Sequence, residues 1–159
     1  MKPTRVFIHG LESSGNGTKG VFFRERYPDM IIEDFFGSFP QRMEKLEGLL
    51  ENENNLILVG SSYGGLMAAV YACLHEDRVA KLVLLAPAIN LAPFEFHCNT
   101  ILHMPVAIVH GLQDDVVPLP DVRAIAERSF VNLDFRTVDD DHPLSATFPL
   151  LDWDAFLSL

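Results

Sequence analysis

The sequence is poor in cysteine, in basic side chains and in long apolar runs, and each shortage excludes something. Its two cysteines, Cys73 and Cys98, form neither a Cys-x-x-Cys pair nor a zinc-ligand spacing, so both are expected to be free thiols in a reducing compartment. Lysine and arginine total 12 against 22 acidic residues, a formal charge of −10. A binder of phosphate backbones needs a basic face, so nucleic acid and anionic membranes are not expected partners. No run approaches the roughly 18 apolar residues of a membrane span. The opening "MKPTRVFIHG" holds too short an apolar run for a secretory signal, so a cytoplasmic chain is expected. No repeat, low-complexity tract or linker is present. The 159 residues suffice for one full core, which reads as a single domain over 1–159.

What is present is six short runs with the character of buried strands: 5–9, 30–35, 56–60, 81–86, 106–110 and 133–138. Most are continuously apolar and rich in Val, Ile and Leu, as strands covered on both faces are. Helical segments alternate with them at about 18–27, 40–52, 63–76 and 119–129, with a last one after Pro143. That alternation predicts an α/β fold with a mostly parallel sheet and helices on both faces. The segment 88–105, "AINLAPFEFHCNTILHMP", lacks clean periodicity and is either a plain connection or a partial lid.

In an open parallel sheet, ligands bind beyond the carboxyl ends of the strands, where the strand order reverses. The segments that follow the six strands are "GLESSGNG", "FGSFP", "SSYGG", "PAIN", "GLQDDVVP" and "DDDHPL". Reactive side chains collect in them. Gly60, Ser62 and Gly64 form Gly-x-Ser-x-Gly between a buried strand and an apolar helix, the context of a nucleophile elbow. Ser61 does not fit, because Val59 and Tyr63 would flank it. A serine hydroxyl needs a base held by a carboxylate. His142 follows the sixth strand, and Asp114 and Asp115 follow the fifth, in the chain order Ser, Asp, His. The run Asp139 to Asp141 reads as a solvated turn, and His9 and His110, each preceding a glycine at a strand end, read as turn or supporting groups.

Backbone N–H groups for a developing oxyanion are expected from Tyr63, directly after the serine, and from Leu11 in the first loop. A strand order of 2-1-3-4-5-6 would bring both to one crevice. Phe35, Phe36, Phe94 and Phe96 are candidates for an apolar acyl pocket. Gly10 to Gly15 approaches a phosphate-binding loop but lacks the lysine and hydroxyl residue that should follow. His97, His103 and Cys98 lack metal-ligand spacing, and no metal is expected.

With "HGLESSG", "GSSYGG", "HGLQDDVVP" and "DDDHPL" in order, the chain resembles the α/β-hydrolase family, and in size its short, lidless bacterial esterases. The resemblance implies that the acid is Asp114, by the pattern HGxxDxxVP, and that the first loop completes an oxyanion hole. It implies a serine hydrolase acting on a small-molecule acyl ester or thioester, with no cofactor. A catalytically silent binding protein, or the same fold with peptidase, lactonase or carbon-carbon hydrolase activity, stays open at this level. The sequence is silent on oligomeric state.

Overall fold

A computed structural model describes residues 1–159. Six parallel strands, β1 (Thr4–Ile8), β2 (Ile31–Ile32), β3 (Leu56–Ser61), β4 (Val79–Leu85), β5 (Val106–Gly111) and β6 (Leu133–Val138), form one sheet in the order β2-β1-β3-β4-β5-β6. The order matches expectation, and the chain winds outward both ways from the β1/β3 pair. The connecting helices are α1 (Thr18–Arg26), α2 (Phe39–Leu49), α3 (Tyr63–Leu74), α4 (Ala92–His97), α5 (Leu119–Ser129) and the short α6 (Trp153–Phe156). No helix is long and apolar enough to cross a membrane.

Period-two alternation sorts each strand between two cores. Val6, Ile8, Leu56, Leu58, Leu82, Leu84, Val106 and Ile108 join α2 to α5 in a cluster of 29 buried residues. Phe7, Ile57, Val59, Val83, Leu85 and Val109 face the other way, into a cluster of 14 with Phe23 of α1, Phe148 and Trp153. With both faces covered, central strands have no solvent side to keep polar, which is why they read as unbroken apolar runs. Helix α3 is buried from Gly64 through Ala72, so it shows no polar stripe.

Three expectations require correction. The run at 30–35 pairs only at Ile31 and Ile32, because beyond Ile32 the chain turns away and its amides bond elsewhere, Phe35 N–H to His9 Nε2 at 2.8 Å. The helix expected after Pro143 resolves into a short 3-10 turn, Phe148–Leu150, and the four-residue α6. The two cysteines are not free. Cys73, near the end of α3, and Cys98, the residue capping α4, lie 5.5 Å apart at Cα and are joined as a disulfide. Packing of α4 on α3 brings together thiols 25 residues apart in sequence, and with them paired the cysteines no longer argue for a reducing compartment.

Candidate active site

Ser62 sits between β3 and α3 with φ 55° and ψ −113°, a region costly for any residue with a Cβ. The turn is held on several sides. Ser62 N–H donates to Leu85 O, and Ser62 O accepts from the N–H groups of Gly65, Leu66 and Ala88. The surrounding space admits only glycine at two points: a Cβ on Gly60 would collide with the Gly64 carbonyl, and one on Gly64 with the carbonyls of Ile8 and His9. The spacing Gly-x-Ser-x-Gly is thus the spacing at which α3 crosses closely over β1 and β3.

The loops after β5 and β6 bring two further groups to this turn. His142 Nε2 lies 3.0 Å from Ser62 Oγ, and His142 Nδ1 lies 2.7 Å from Asp114 Oδ2. With Nδ1–H donating to the carboxylate, Nε2 is left free to accept from the serine hydroxyl. Asp114 is fully buried at its side chain, and its other oxygen accepts from Val116 N–H at 2.9 Å and Val117 N–H at 2.8 Å. Burial pushes the Asp114 carboxyl up, but the bonds from His142, Val117 and Val116 outweigh it and hold the group below the usual carboxylate range. Asp115 makes none of these contacts.

Two buried histidines brace the loops. His9, at the end of β1, donates from Nδ1 to Gly10 O at 2.6 Å and accepts Phe35 N–H at Nε2, so it ties the first loop to the β2–α2 connection. His110, on β5, donates from Nε2 to Val117 O at 2.9 Å, and the same nitrogen lies 3.3 Å from Asp114 Oδ2. Desolvation is the largest influence on both imidazoles and holds each below its ordinary value. Lys19 of α1 donates to Pro143 O at 2.6 Å and so holds the turn that carries His142. Leu144, buried at φ 55°, anchors the same turn in the smaller core. Asp140 accepts from Asp141, Ala146 and Thr147 N–H groups, a turn-capping role for the acidic run.

A cavity of about 590 Å³ opens beside Ser62. Leu11, Tyr63, Ala88, Leu91, Val116 and Val117 supply its apolar wall, with Asn90, Lys19 and Glu12 among its polar groups. Tyr63 begins α3, so its N–H is one of the four that a helix leaves without an internal acceptor. Leu11 stands across the crevice on the loop after β1. The four phenylalanines proposed for the pocket are a correction: none lines this cavity. Phe35 and Phe94 are buried in the larger core, and Phe36 and Phe96 point outward at 67% and 77% exposure. Their positions near the strand ends are visible in sequence, but the direction of each side chain is set by how the loops fold back. Segment 88–105 contributes Asn90 and Leu91 to the rim and continues as α4. In the first loop Gly15 N–H is taken by the Asp34 carboxylate at 2.6 Å, so an amide that a phosphate would need already holds an anion.

A family model described as the alpha/beta hydrolase fold matches residues 36–100. Among solved structures, alpha/beta hydrolase domain-containing protein 10 from mouse superposes with a TM-score of 0.81 at 22% identity, covering 99% of this chain and 92% of that one. Est1E from Butyrivibrio proteoclasticus gives 0.76 at 18% identity, covering 98% and 85%. A curated protein of Oryza sativa subsp. japonica, "Probable 1-acylglycerol-3-phosphate O-acyltransferase", is 31% identical over 109 residues, which are 54% of this chain and 25% of that protein. This chain spans about a quarter of its length. The 2-1-3-4-5-6 parallel sheet, the strained turn between β3 and α3 and these likenesses identify the chain as an α/β-hydrolase-fold protein.

Proposed function

We propose that the chain is a serine hydrolase that cleaves carboxylic ester or thioester bonds through an acyl-enzyme on Ser62. One observation carries this reading: an unbroken chain of short contacts, Asp114 Oδ2 to His142 Nδ1 at 2.7 Å and His142 Nε2 to Ser62 Oγ at 3.0 Å, assembled from three separate strand ends. A serine hydroxyl in contact with an imidazole that a buried carboxylate orients is the arrangement that turns a weak nucleophile into a reactive one.

In this mechanism His142 takes the Ser62 proton as Oγ attacks the acyl carbon. The carbonyl oxygen, now negative, is received by the N–H groups of Leu11 and Tyr63. The imidazolium formed is stabilised by Asp114 and returns its proton to the departing alcohol or thiol. Water then enters, His142 accepts its proton, and collapse of the second tetrahedral species frees the acid and restores Ser62. The wall of Leu91, Val116 and Val117 suits an acyl chain, and the exposed rim leaves room for a bulky leaving group.

The test is Ser62→Ala against the parent, assayed with p-nitrophenyl esters, acyl-CoA and peptide substrates, with a fluorophosphonate probe for covalent labelling. The expected result is ester or thioester turnover in the parent that falls by about 10³-fold or more in the variant, with labelling lost and the fold kept. A variant within a few-fold of the parent, or a parent that is inert to the probe and to every ester, rejects the reading.

A further inference from the structure

Among the lysines and arginines only Arg42, on the first turn of α2, is buried, at 4% exposure. It takes part in none of the ion pairs of the chain. Its partners are neutral: Nε donates to Gly37 O at 3.0 Å and Nη2 to Leu11 O at 3.3 Å, while Nη1 is buried with no acceptor. A buried cation without a counter-charge is expensive, and a structural role would be filled at less cost by a neutral side chain. The placement is also tightly specified. Ser38 and Gln41 form a reciprocal cap that fixes the start of α2, and Arg42 N–H donates to Ser38 O in that turn.

Besides Gly37, the guanidinium touches two residues of the mechanism above. One is Leu11, through its carbonyl. The other is Tyr63, whose ring lies 5.3 Å from the guanidinium carbon. These are the residues whose N–H groups receive the oxyanion in the mechanism above, and they come from loops that β1 and β3 carry independently.

We propose that Arg42 is the positioning residue of the anion-binding pair, holding the Leu11 loop against the start of α3 and placing a fixed positive charge behind the point where substrate oxygen becomes negative. The assignment rests on the acyl-enzyme reading. It explains why the charge is left unpaired: the negative partner forms only during the reaction, so attraction to it favours the tetrahedral state over bound ester. A carboxylate beside Arg42 would cancel that field before the reaction began.

The experiment compares the parent with Arg42→Gln and Arg42→Lys, using p-nitrophenyl butyrate and two competitive ligands. Butylboronic acid becomes a tetrahedral anion when Ser62 Oγ adds to boron and its proton passes to His142. Butyramide is neutral and mimics the bound acyl group. In Arg42→Gln, kcat is expected to fall about ten- to hundredfold with KM within about threefold. The inhibition constant of the boronic acid should rise by a similar factor while that of butyramide stays put. Arg42→Lys, which keeps the charge, should recover part of both losses. A merely structural residue would weaken both ligands together. Folded Arg42→Gln with parental kcat and boronate affinity overturns the proposal, and Arg42→Lys no better than Arg42→Gln overturns the role of charge. Should Arg42→Gln fail to fold, Arg42→Met, neutral and of similar length, carries the test through its ratio of boronate to butyramide affinity, an unchanged ratio overturning the proposal. A parent inert to ester and fluorophosphonate instead overturns the acyl-enzyme reading itself, whereas an active parent with unaffected Arg42 variants overturns this proposal alone.

Discussion

The two ends of the sheet handle polar groups and strain in opposite ways. At the amino end, no charged side chain is fully withdrawn from water. Arg136 and Asp134 pair at 2.7 Å with both side chains about half exposed, at 50% and 53%, and Lys81 reaches the carbonyls of Ala155 and Ser158. The residue with positive φ there is Asn55, a type that tolerates the left-handed region. At the carboxyl end His9, His110, Arg42 and the Asp114 side chain are all buried, and the positive-φ residues are Ser62, Ala86 and Leu144, which gain nothing locally from that conformation. One sheet thus has an end arranged for cheap solvation and an end that carries costs. Such costs persist only where surrounding structure imposes them, and they mark the end where chemistry is expected.

The largest effect that would sharpen this contrast is at Ser62. Replacing it with glycine should remove turnover by about 10³-fold or more and at the same time raise the unfolding free energy by about 1 kcal/mol, since glycine adopts φ 55° without strain. Chemical denaturation beside an ester assay measures both. A less stable, folded Ser62→Gly would show that the turn is not strained.

A smaller effect concerns pH. His9 and His110 are held below the ordinary histidine value chiefly by burial, so the unfolded chain binds protons more readily than the native one. Stability from this source is complete above about pH 6.5 and is lost as pH falls through that point toward the native values. Protonated His110 would carry an Nδ1–H with no acceptor, and protonated His9 would set an N–H against the Phe35 amide. Melting temperature should therefore decline between pH 7 and 5, and His110→Asn should flatten the slope. Parallel curves for variant and parent would remove His110 from the account.

The smallest effect belongs to the other end of the sheet. Arg136→Ala should change stability by no more than about 0.5 kcal/mol, because exposed pairs are worth little. A loss of several kcal/mol there, measured by denaturation, would erase the distinction between the two ends.

Much of this arrangement was legible from residue order. Continuous apolar runs marked β1, β3, β4 and β5 because strands buried on both faces cannot carry polar alternation. Ser62, Asp114 and His142 were findable because each follows a strand and lies where parallel strands release their loops. Other features gave no local signal. Arg42 looks like any charge on an amphipathic helix, and it is buried among Gly37, the Leu11 loop and Tyr63, which come from separate parts of the chain. Phe35 and Phe96 are chemically alike and lie near the same edge, yet one is in the core and the other in solvent. The pairing of Cys73 with Cys98 depended on α4 lying across α3, which no spacing encodes.

By itself the sequence determined which segments become strands and helices, how they alternate and which side chains stand at the strand ends, because these follow from hydrophobic period, turn chemistry and chain order. Only the tertiary structure decided which of those side chains meet, which lose their water and which are left facing it. Distances across loops, and the burial that turns an ordinary arginine or histidine into an electrostatic element, come from packing between segments far apart in the chain.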